Sequence, residues 1–174
     1  EPGPGAAHAA HLLHRADVAM YAVKTSGKGD VKVHSAALDL AARTNEPVLH
    51  RAVAAALDSG AVRAVYQPVV DPRTGLVHAV EALARWTHEG VEIPPGTFVP
   101  ICEKAGLSEH LTAVILEQAC AQLDAWNRGL GHRRMQMAVN VNPTEFSDPA
   151  LPDRIAQLLH RHALGPGQLA LEMT

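Results

Sequence analysis

The fold is decided by the stretch Ala79-Val80-Glu81-Ala82-Leu83-Ala84-Arg85-Trp86. It has the composition of a buried β-strand, yet it carries one carboxylate and one guanidinium. Side chains alternate between the two faces of a strand, so Glu81, Leu83 and Arg85 share one face. Burying either charge alone is costly, so each needs a partner or a function. The pattern fits a structural ion pair in a barrel and a functional site equally well.

The segments around this strand predict an α/β fold. We expect strands over 64–70, 76–86, 135–141 and 168–174, and helices over 8–24, 47–59, 97–105, 108–126 and 150–163, with 87–96 as a loop. The first helix carries an apolar stripe of Leu12, Leu13, Ala16, Met20 and Val23, and Ser108 caps the helix over 108–126. The short turn Asp71-Pro72-Arg73-Thr74-Gly75 can join only antiparallel neighbours, so the first two strands form a hairpin. The later strand–helix units predict a parallel sheet. The last strand has no helix after it, so we expect a truncated fold.

Polar residues recur late in the later strands. Asn140 stands near the end of the third strand and Glu172 near the end of the fourth, each on the face opposite the bulky residues. In a βα barrel, that end of the strands holds ligands and metals. Carboxylate and amide oxygens suit Mg²⁺, Mn²⁺ or Ca²⁺ better than zinc. With Arg85 nearby, Glu81, Asn140 and Glu172 indicate a metal beside a phosphate. Taken alone, Asn140 also fits a simple cap before Pro143.

These residues resemble a known family. The run from Glu81 to Trp86 is similar to the signature of EAL-domain cyclic-di-GMP phosphodiesterases. Further matches follow in the family's order: Tyr66-Gln67-Pro68-Val69-Val70, Phe98-Val99-Pro100, Glu103-Lys104-Ala105-Gly106-Leu107, Val139-Asn140-Val141-Asn142-Pro143 and Leu169-Ala170-Leu171-Glu172-Met173-Thr174. The resemblance implies a partial modified TIM barrel whose first strands form a hairpin, which accounts for the hairpin predicted above.

The resemblance also implies roles for individual residues. Glu81, Asn140 and Glu172 would be ligands of Mg²⁺ or Mn²⁺, and Gln67, Leu83 and Arg85 would contact cyclic-di-GMP. The family hydrolyses one phosphodiester bond of this ligand to give the linear dinucleotide. Its general base would lie beyond residue 174, so we expect little turnover from this chain alone.

The chain departs from the family pattern at two places after the third strand. Asn142 stands where Ser is common, and Thr144-Glu145 stand where a basic residue and Gln are common. Both departures bear on substrate affinity and leave the three metal-ligating positions intact.

The amino-terminal segment resembles a second family. The run Arg15-Ala16-Asp17-Val18-Ala19-Met20-Tyr21-Ala22-Val23-Lys24-Thr25-Ser26-Gly27-Lys28 is similar to the closing helix of a GGDEF domain, with Lys24 in the place of its nucleotide-phosphate lysine. Val23 and Lys28 depart from the usual Ala and Arg. We therefore expect a GGDEF remnant over 1–34, a linker over 35–46 and the first half of an EAL domain over 47–174. No cyclase activity is expected, because the GGDEF signature would lie before residue 1.

Bulk properties narrow the range of partners. The formal net charge of −3 gives no reason to expect binding to DNA or to an acidic membrane. No apolar run approaches the roughly 20 residues that a membrane helix needs. We expect a cytoplasmic segment of a longer protein whose membrane anchor, if it has one, lies elsewhere. Homodimers are common among EAL domains, so the resemblance implies one here.

The cysteines and histidines favour no metal site. Cys102 and Cys120 form no C-x-x-C motif, so we expect two reduced, packed thiols. The 11 histidines lack the spacing of a zinc motif, and we expect them on solvated surfaces.

Two other functions stay open at this point. One is a degenerate EAL module that binds cyclic-di-GMP or a protein without hydrolysis, and the other is an unrelated metal-dependent TIM-barrel enzyme. Paired aspartates, a lysine and a late glutamate after Thr174 would favour the phosphodiesterase over the degenerate module.

Overall fold

The computed structural model of the protein describes Leu12, Ala16, Ala19, Met20, residues 46–129 and residues 135–173. Most of the predicted helix 8–24, and with it Lys24, lies outside the described residues. The four described positions there are helical, but Leu12 and Met20 are exposed while Ala19 is buried. At these positions the predicted apolar stripe does not face a core.

Five strands and five helices make up the rest of the described chain. In chain order they are α1 (Glu46–Ser59), β1 (Val62–Val70), β2 (Val77–His88), β3 (Val91–Ile93), α2 (Pro95–Lys104), α3 (Ser108–Gly129), β4 (Gln136–Val141), α4 (Pro143–Phe146), α5 (Leu151–Arg161) and β5 (Leu169–Met173). One open sheet contains all the strands in the order β1-β2-β4-β5, with β3 paired to β2. The predicted α/β class and its incomplete barrel are confirmed.

The sheet begins with the predicted antiparallel hairpin and continues in parallel. β1 pairs with β2 from Val62↔Trp86 to Val70↔Val77. The connecting turn is closed by the Gly75 backbone N–H, which donates to the Asp71 carbonyl at 2.8 Å. Gly75 has φ 69°, a conformation that glycine adopts without steric cost. The β2–β4 and β4–β5 ladders are both parallel.

The core lies between one face of this sheet and the helices. Val80, Ala82 and Trp86 of β2 are buried in it, as the alternation of that strand predicts. The same holds for Met137, Val139 and Val141 of β4, although Val141 lies outside the main cluster. Helices α1, α2 and α3 contribute Leu49, Val53, Leu57, Phe98, Cys102, Leu111, Ile115, Ala119 and Leu123. The opposite face of β2 is left free for Glu81, Leu83 and Arg85.

The outer edge of β1 is closed in part by a side chain from α3. The Ala64 N–H donates to Gln118 Oε1 at 2.8 Å, and Gln118 Nε2 donates to the Val62 carbonyl at 3.1 Å. In an antiparallel ladder, alternate residues direct their backbone groups away from the partner strand. Pro68 has the same parity as Ala64, so its missing N–H removes no bond to β2. The Gln118 side chain and Pro68 thus protect the outer edge of β1 from pairing with another strand.

Three local predictions are wrong. The segment predicted as a loop over 87–96 contains the end of β2 and all of β3, joined by Glu89 and Gly90 with φ 49° and 77°. Positive φ at both residues is the geometry of a two-residue type I′ hairpin. Helix α3 begins at Ser108, and the Leu107 carbonyl accepts its first bond, so Ser108 lies one position inside the cap predicted for it. The short helix α4 was not predicted.

Both cysteines are buried and free, as predicted. Burial raises the pKa of Cys102 to about 11 and that of Cys120 to about 12, with Glu103 and Glu117 adding to the respective shifts. Both thiols therefore stay protonated at neutral pH. Among the described helices, none combines the length and the apolar character needed to cross a membrane.

Removal of the Gln118 amide should destabilise the protein. The variant Gln118→Ala leaves the Val62 carbonyl and the Ala64 N–H without their partner, and we expect a loss of about 1–3 kcal/mol in the free energy of unfolding. Urea titration measures this loss. Gln157→Ala, at an exposed position of α5, is the control and should change stability by less than about 0.5 kcal/mol. Equal effects of the two variants would show that the edge contact contributes nothing.

Candidate functional site

The parallel register brings the three predicted metal ligands together. Glu81 pairs with Ala138 across the β2–β4 ladder, and Asn140 pairs directly with Glu172 across the β4–β5 ladder. All three side chains project from the face opposite the core, in two adjacent rows. Asn140 Nδ2 donates to Glu81 Oε1 at 2.8 Å, so the first two residues are in direct contact.

The same register explains why these residues lie at the carboxyl end of the sheet. The β2–β4 ladder ends at Ala82↔Val139, after which β2 turns away to pair with β3. The β4–β5 ladder continues to Val141↔Met173. Glu81 is therefore late in the shared ladder although it is only the fifth residue of β2. The strands diverge just above it, which opens the sheet at this end.

The predicted ligand-contacting residues lie on the same face. Gln67 is directly opposite Glu81 in the β1–β2 ladder, and Leu83 and Arg85 follow Glu81 at alternate positions. Arg85 Nη1 donates to the Ala84 carbonyl at 2.8 Å, and its Nε lies 3.5 Å from Glu92 Oε1. The Arg85 side chain is a quarter exposed, so part of the guanidinium is open to a ligand.

A cavity of about 390 Å³ adjoins this site, between the diverging ends of β2 and β4 and the helices α2 and α3. Leu83 and Asn140 border it on the sheet side. Pro95, Gly96, Val99, Pro100, Leu111 and Ile115 form its apolar wall, and Glu103, Ser108, Thr112 and Asn142 add polar groups. A mostly apolar cleft with a few polar groups is typical of a small-molecule site.

The segment after Asn140 is held in place by a capping box that sequence reasoning missed. Asn142 caps α4, because its side chain accepts the Thr144 N–H at 2.9 Å. Glu145, three positions later, accepts a hydrogen bond from the Asn142 backbone N–H. The cap before Pro143 is therefore Asn142 and not Asn140. The spacing of a cap residue and a Glu three positions on was the signal for it.

Glu145 also ties this segment to α3. Its carboxyl group is buried, and Thr112 Oγ1 donates to its Oε1 at 2.9 Å. Burial raises the pKa of Glu145, and the negative charge of Asp148 adds to the shift. The hydrogen bonds from Thr112 and Asn142 lower it only in part. Burial thus costs the carboxyl group its hydration, while its hydrogen bonds with Thr112 and Asn142 hold α4 against α3.

The predicted donor set fits a hard divalent cation. Asn140 uses its amide N–H on Glu81, and its carbonyl oxygen accepts no hydrogen bond within the described ranges. Glu172 has no ion pair or hydrogen bond there either. No group of three or more His, Cys, Asp or Glu side chains with metal-binding geometry occurs among the described residues. The predicted set is of a different kind, since it has two carboxylates and one amide. Two carboxylates and an amide oxygen are ligands that Mg²⁺ and Mn²⁺ accept.

Sequence reasoning did not identify two charged residues of this face. Arg63 lies directly opposite Arg85 in the β1–β2 ladder, and Glu92 stands on β3. The alternation Arg63, Val65, Gln67 was the signal for Arg63, but the strand was predicted to begin one residue after it. Glu92 was hidden because β3 was predicted as loop.

This site lies at the diverging carboxyl end of an open α/β sheet that begins with a hairpin, and these features define an EAL-type half-barrel. The family model described as EAL domain matches residues 50–174, and the chain belongs to this family.

Similar proteins include the bifunctional diguanylate cyclase/cyclic di-GMP phosphodiesterase MucR of Pseudomonas aeruginosa, 35% identical over 98% of this chain and 25% of its own length. A solved structure described as the PaMucR phosphodiesterase in complex with c-di-GMP has TM-score 0.66 and 36% identity, over 71% of this chain and 50% of that one. The FimX EAL domain of P. aeruginosa bound to c-di-GMP, at 23% identity over 72% of this chain and 49% of that one, shares the fold with TM-score 0.62. The chain thus spans about a quarter of its bifunctional relative and half of the solved domains.

The raised pKa of Glu145 should make stability depend on pH. In the folded protein the carboxyl binds its proton more tightly than in the unfolded chain. Its contribution is therefore complete below the unfolded pKa and is lost as pH rises through the folded pKa. Relative to Glu145→Gln, the wild-type free energy of unfolding should fall as pH rises through this window. Urea titrations of both proteins across that range measure the difference. A constant difference, or one that grows in favour of wild type with pH, would contradict the burial argument.

Proposed function

We propose that this chain forms the metal- and ligand-binding half of a cyclic-di-GMP phosphodiesterase of the EAL type. One observation carries the proposal: the register of β2, β4 and β5 puts Glu81, Asn140 and Glu172 on one face of the sheet. Asn140 Nδ2 donates a hydrogen bond to Glu81 Oε1 at 2.8 Å. The relatives support the choice of substrate, since the MucR structure is described as a c-di-GMP complex.

In this proposal Glu81, Asn140 and Glu172 hold Mg²⁺ or Mn²⁺. A bound divalent cation supplies Lewis-acid polarisation of phosphoryl oxygens. The hydrogen bond from Asn140 Nδ2 orients the Glu81 carboxylate and leaves the Asn140 carbonyl oxygen available as a ligand. Fixing the ligands in this way before binding lowers the cost of ordering them.

The other residues of the face bind and orient the ligand. Arg85 offers the guanidinium edge that its bond to the Ala84 carbonyl leaves free, and a phosphate oxygen accepts from it. Gln67 lies next to Glu81 and donates or accepts through its exposed amide. Leu83 borders the cavity and supplies apolar contact to a base or ribose.

The domain arrangement belongs to the same proposal. Residues 1–34 would be the end of a GGDEF domain, 35–46 a linker and 47–174 the first half of the EAL domain, with α1 beginning at Glu46 beside that boundary. The general base would come from beyond residue 174. We also propose that the whole protein forms a homodimer through its EAL domain.

Loss of the Glu81 carboxylate should weaken metal-dependent binding. We expect the wild-type chain to bind cyclic-di-GMP in Ca²⁺, measured by isothermal titration, and Glu81→Ala to bind at least about tenfold more weakly. Glu109→Ala, which removes an exposed carboxylate of α3, is the control and should bind like wild type.

A hydrolysis assay in Mn²⁺ separates the two functions that the family suggests. Turnover by a longer protein that contains this chain, lost with Glu81→Ala, would support the phosphodiesterase. Binding without turnover in that protein would favour a degenerate receptor module. If neither the chain nor the longer protein binds cyclic-di-GMP, the proposed function is wrong.

A further inference from the structure

Two arginines lie opposite each other at the open end of the β1–β2 hairpin. Arg63 and Arg85 are direct partners in the antiparallel ladder, so their side chains leave the sheet on the same face and side by side. This face also carries Gln67, Glu81 and Leu83. The pair lies at the end of the sheet towards which the parallel strands run.

The charges around this pair do not balance. Like charges placed directly opposite one another destabilise a ladder. Glu92 lies 3.5 Å from Arg85 Nε and is itself more than half exposed. Arg63 makes no ion pair within the part of the chain that the structure describes, and Glu92 is the one carboxylate there that pairs with Arg85. Of these two neighbouring arginines, only Arg85 therefore has a counter-ion among the described residues, and that exposed ion pair is weak.

We propose that Arg63 and Arg85 together form a binding site for a phosphate group. A phosphate placed between two forked guanidiniums accepts hydrogen bonds from both and removes their mutual repulsion. That the phosphate belongs to a cyclic dinucleotide rests on the proposed function, but the anion site itself does not. Arg63 is then a ligand-binding residue that the family signature, which begins at Glu81, does not contain.

Glu92 acts in this proposal as the counter-ion of the empty site. Its carboxylate holds Arg85 through the Nε edge, and an incoming phosphate competes with it. Since β3 joins β2 by only two residues, Glu89 and Gly90, the carboxylate stays close to the site when it is displaced. Glu92→Gln should therefore bind phosphate more tightly than wild type.

A solvated surface arginine is the alternative explanation of Arg63, and Arg73 provides a matched control. Arg73 lies in the turn at the other end of the same hairpin, with its side chain 89% exposed. It differs from Arg63 in lying far from Arg85 and in having the Asp71 carboxylate 3.8 Å from its Nε. A general effect of removing one positive charge would appear in Arg63→Gln and Arg73→Gln alike.

The test is made on this chain and on a longer protein that contains it. Wild type, Arg63→Gln, Arg73→Gln and Glu92→Gln are titrated with two probes, cyclic-di-GMP in Ca²⁺ and inorganic phosphate without divalent metal at constant ionic strength. Dissociation constants come from calorimetry, and thermal midpoints with each probe confirm that the variants are folded. We expect Arg63→Gln to weaken both probes about fivefold to tenfold and Arg73→Gln to leave both within about twofold of wild type. Glu92→Gln should tighten both.

The outcomes separate this inference from the proposed function. If inorganic phosphate binds wild type but not Arg63→Gln, and cyclic-di-GMP binds neither variant in the chain or in the longer protein, the anion site stands and the proposed function is wrong. If cyclic-di-GMP binds Arg63→Gln as tightly as wild type, the arginine pair is wrong and the proposed function stands. If neither probe binds wild type in the chain or in the longer protein, both proposals are overturned.

Discussion

The parallel register of β2, β4 and β5 is the constraint on which the rest of this structure depends. It places Asn140 beside Glu172 and, through one 2.8 Å hydrogen bond, against Glu81. A slip of one residue in any of these strands would turn its polar side chain into the core and an apolar one out. The burial of Val80, Ala82, Met137 and Val139 opposes such a slip. The same apolar packing that stabilises the fold therefore holds the site together.

Much of this arrangement was predictable because a strand has a short and strict period. The alternation of Glu81, Leu83 and Arg85 against Val80, Ala82 and Trp86 predicted both faces of β2 correctly. Register between strands was not predictable in this way. It follows from contacts between residues far apart in the chain, such as Gln67 with Glu81 and Ala138 with Ala170. The sequence placed the polar residues on a common face, and the structure placed them in adjacent rows.

The features that were missed are short and local. β3 has three residues, too few for a periodic pattern, and its type I′ turn uses Glu89 where Asn or Asp is more usual. Arg63 was missed because the predicted strand began at residue 64, two residues later than β1, an ordinary error at an element boundary. A cap before Pro143 was an alternative for Asn140, and the hydrogen bonds give this role to Asn142 instead. The turn before β3 and the cap of α4 thus depend on local interactions that a periodic pattern does not report.

The central claim is that Glu81, Asn140 and Glu172 form one metal site, and paramagnetic relaxation by Mn²⁺ tests it most directly. In a ¹⁵N-labelled sample titrated with substoichiometric Mn²⁺, the account predicts selective broadening of backbone amides near Glu81, Asn140 and Glu172, with amides of α1 and of the Asp71–Gly75 turn unaffected. Relaxation rates fall steeply with distance from the ion, so the pattern locates it. Broadening centred elsewhere, or uniform weak broadening across the described chain, would contradict the account.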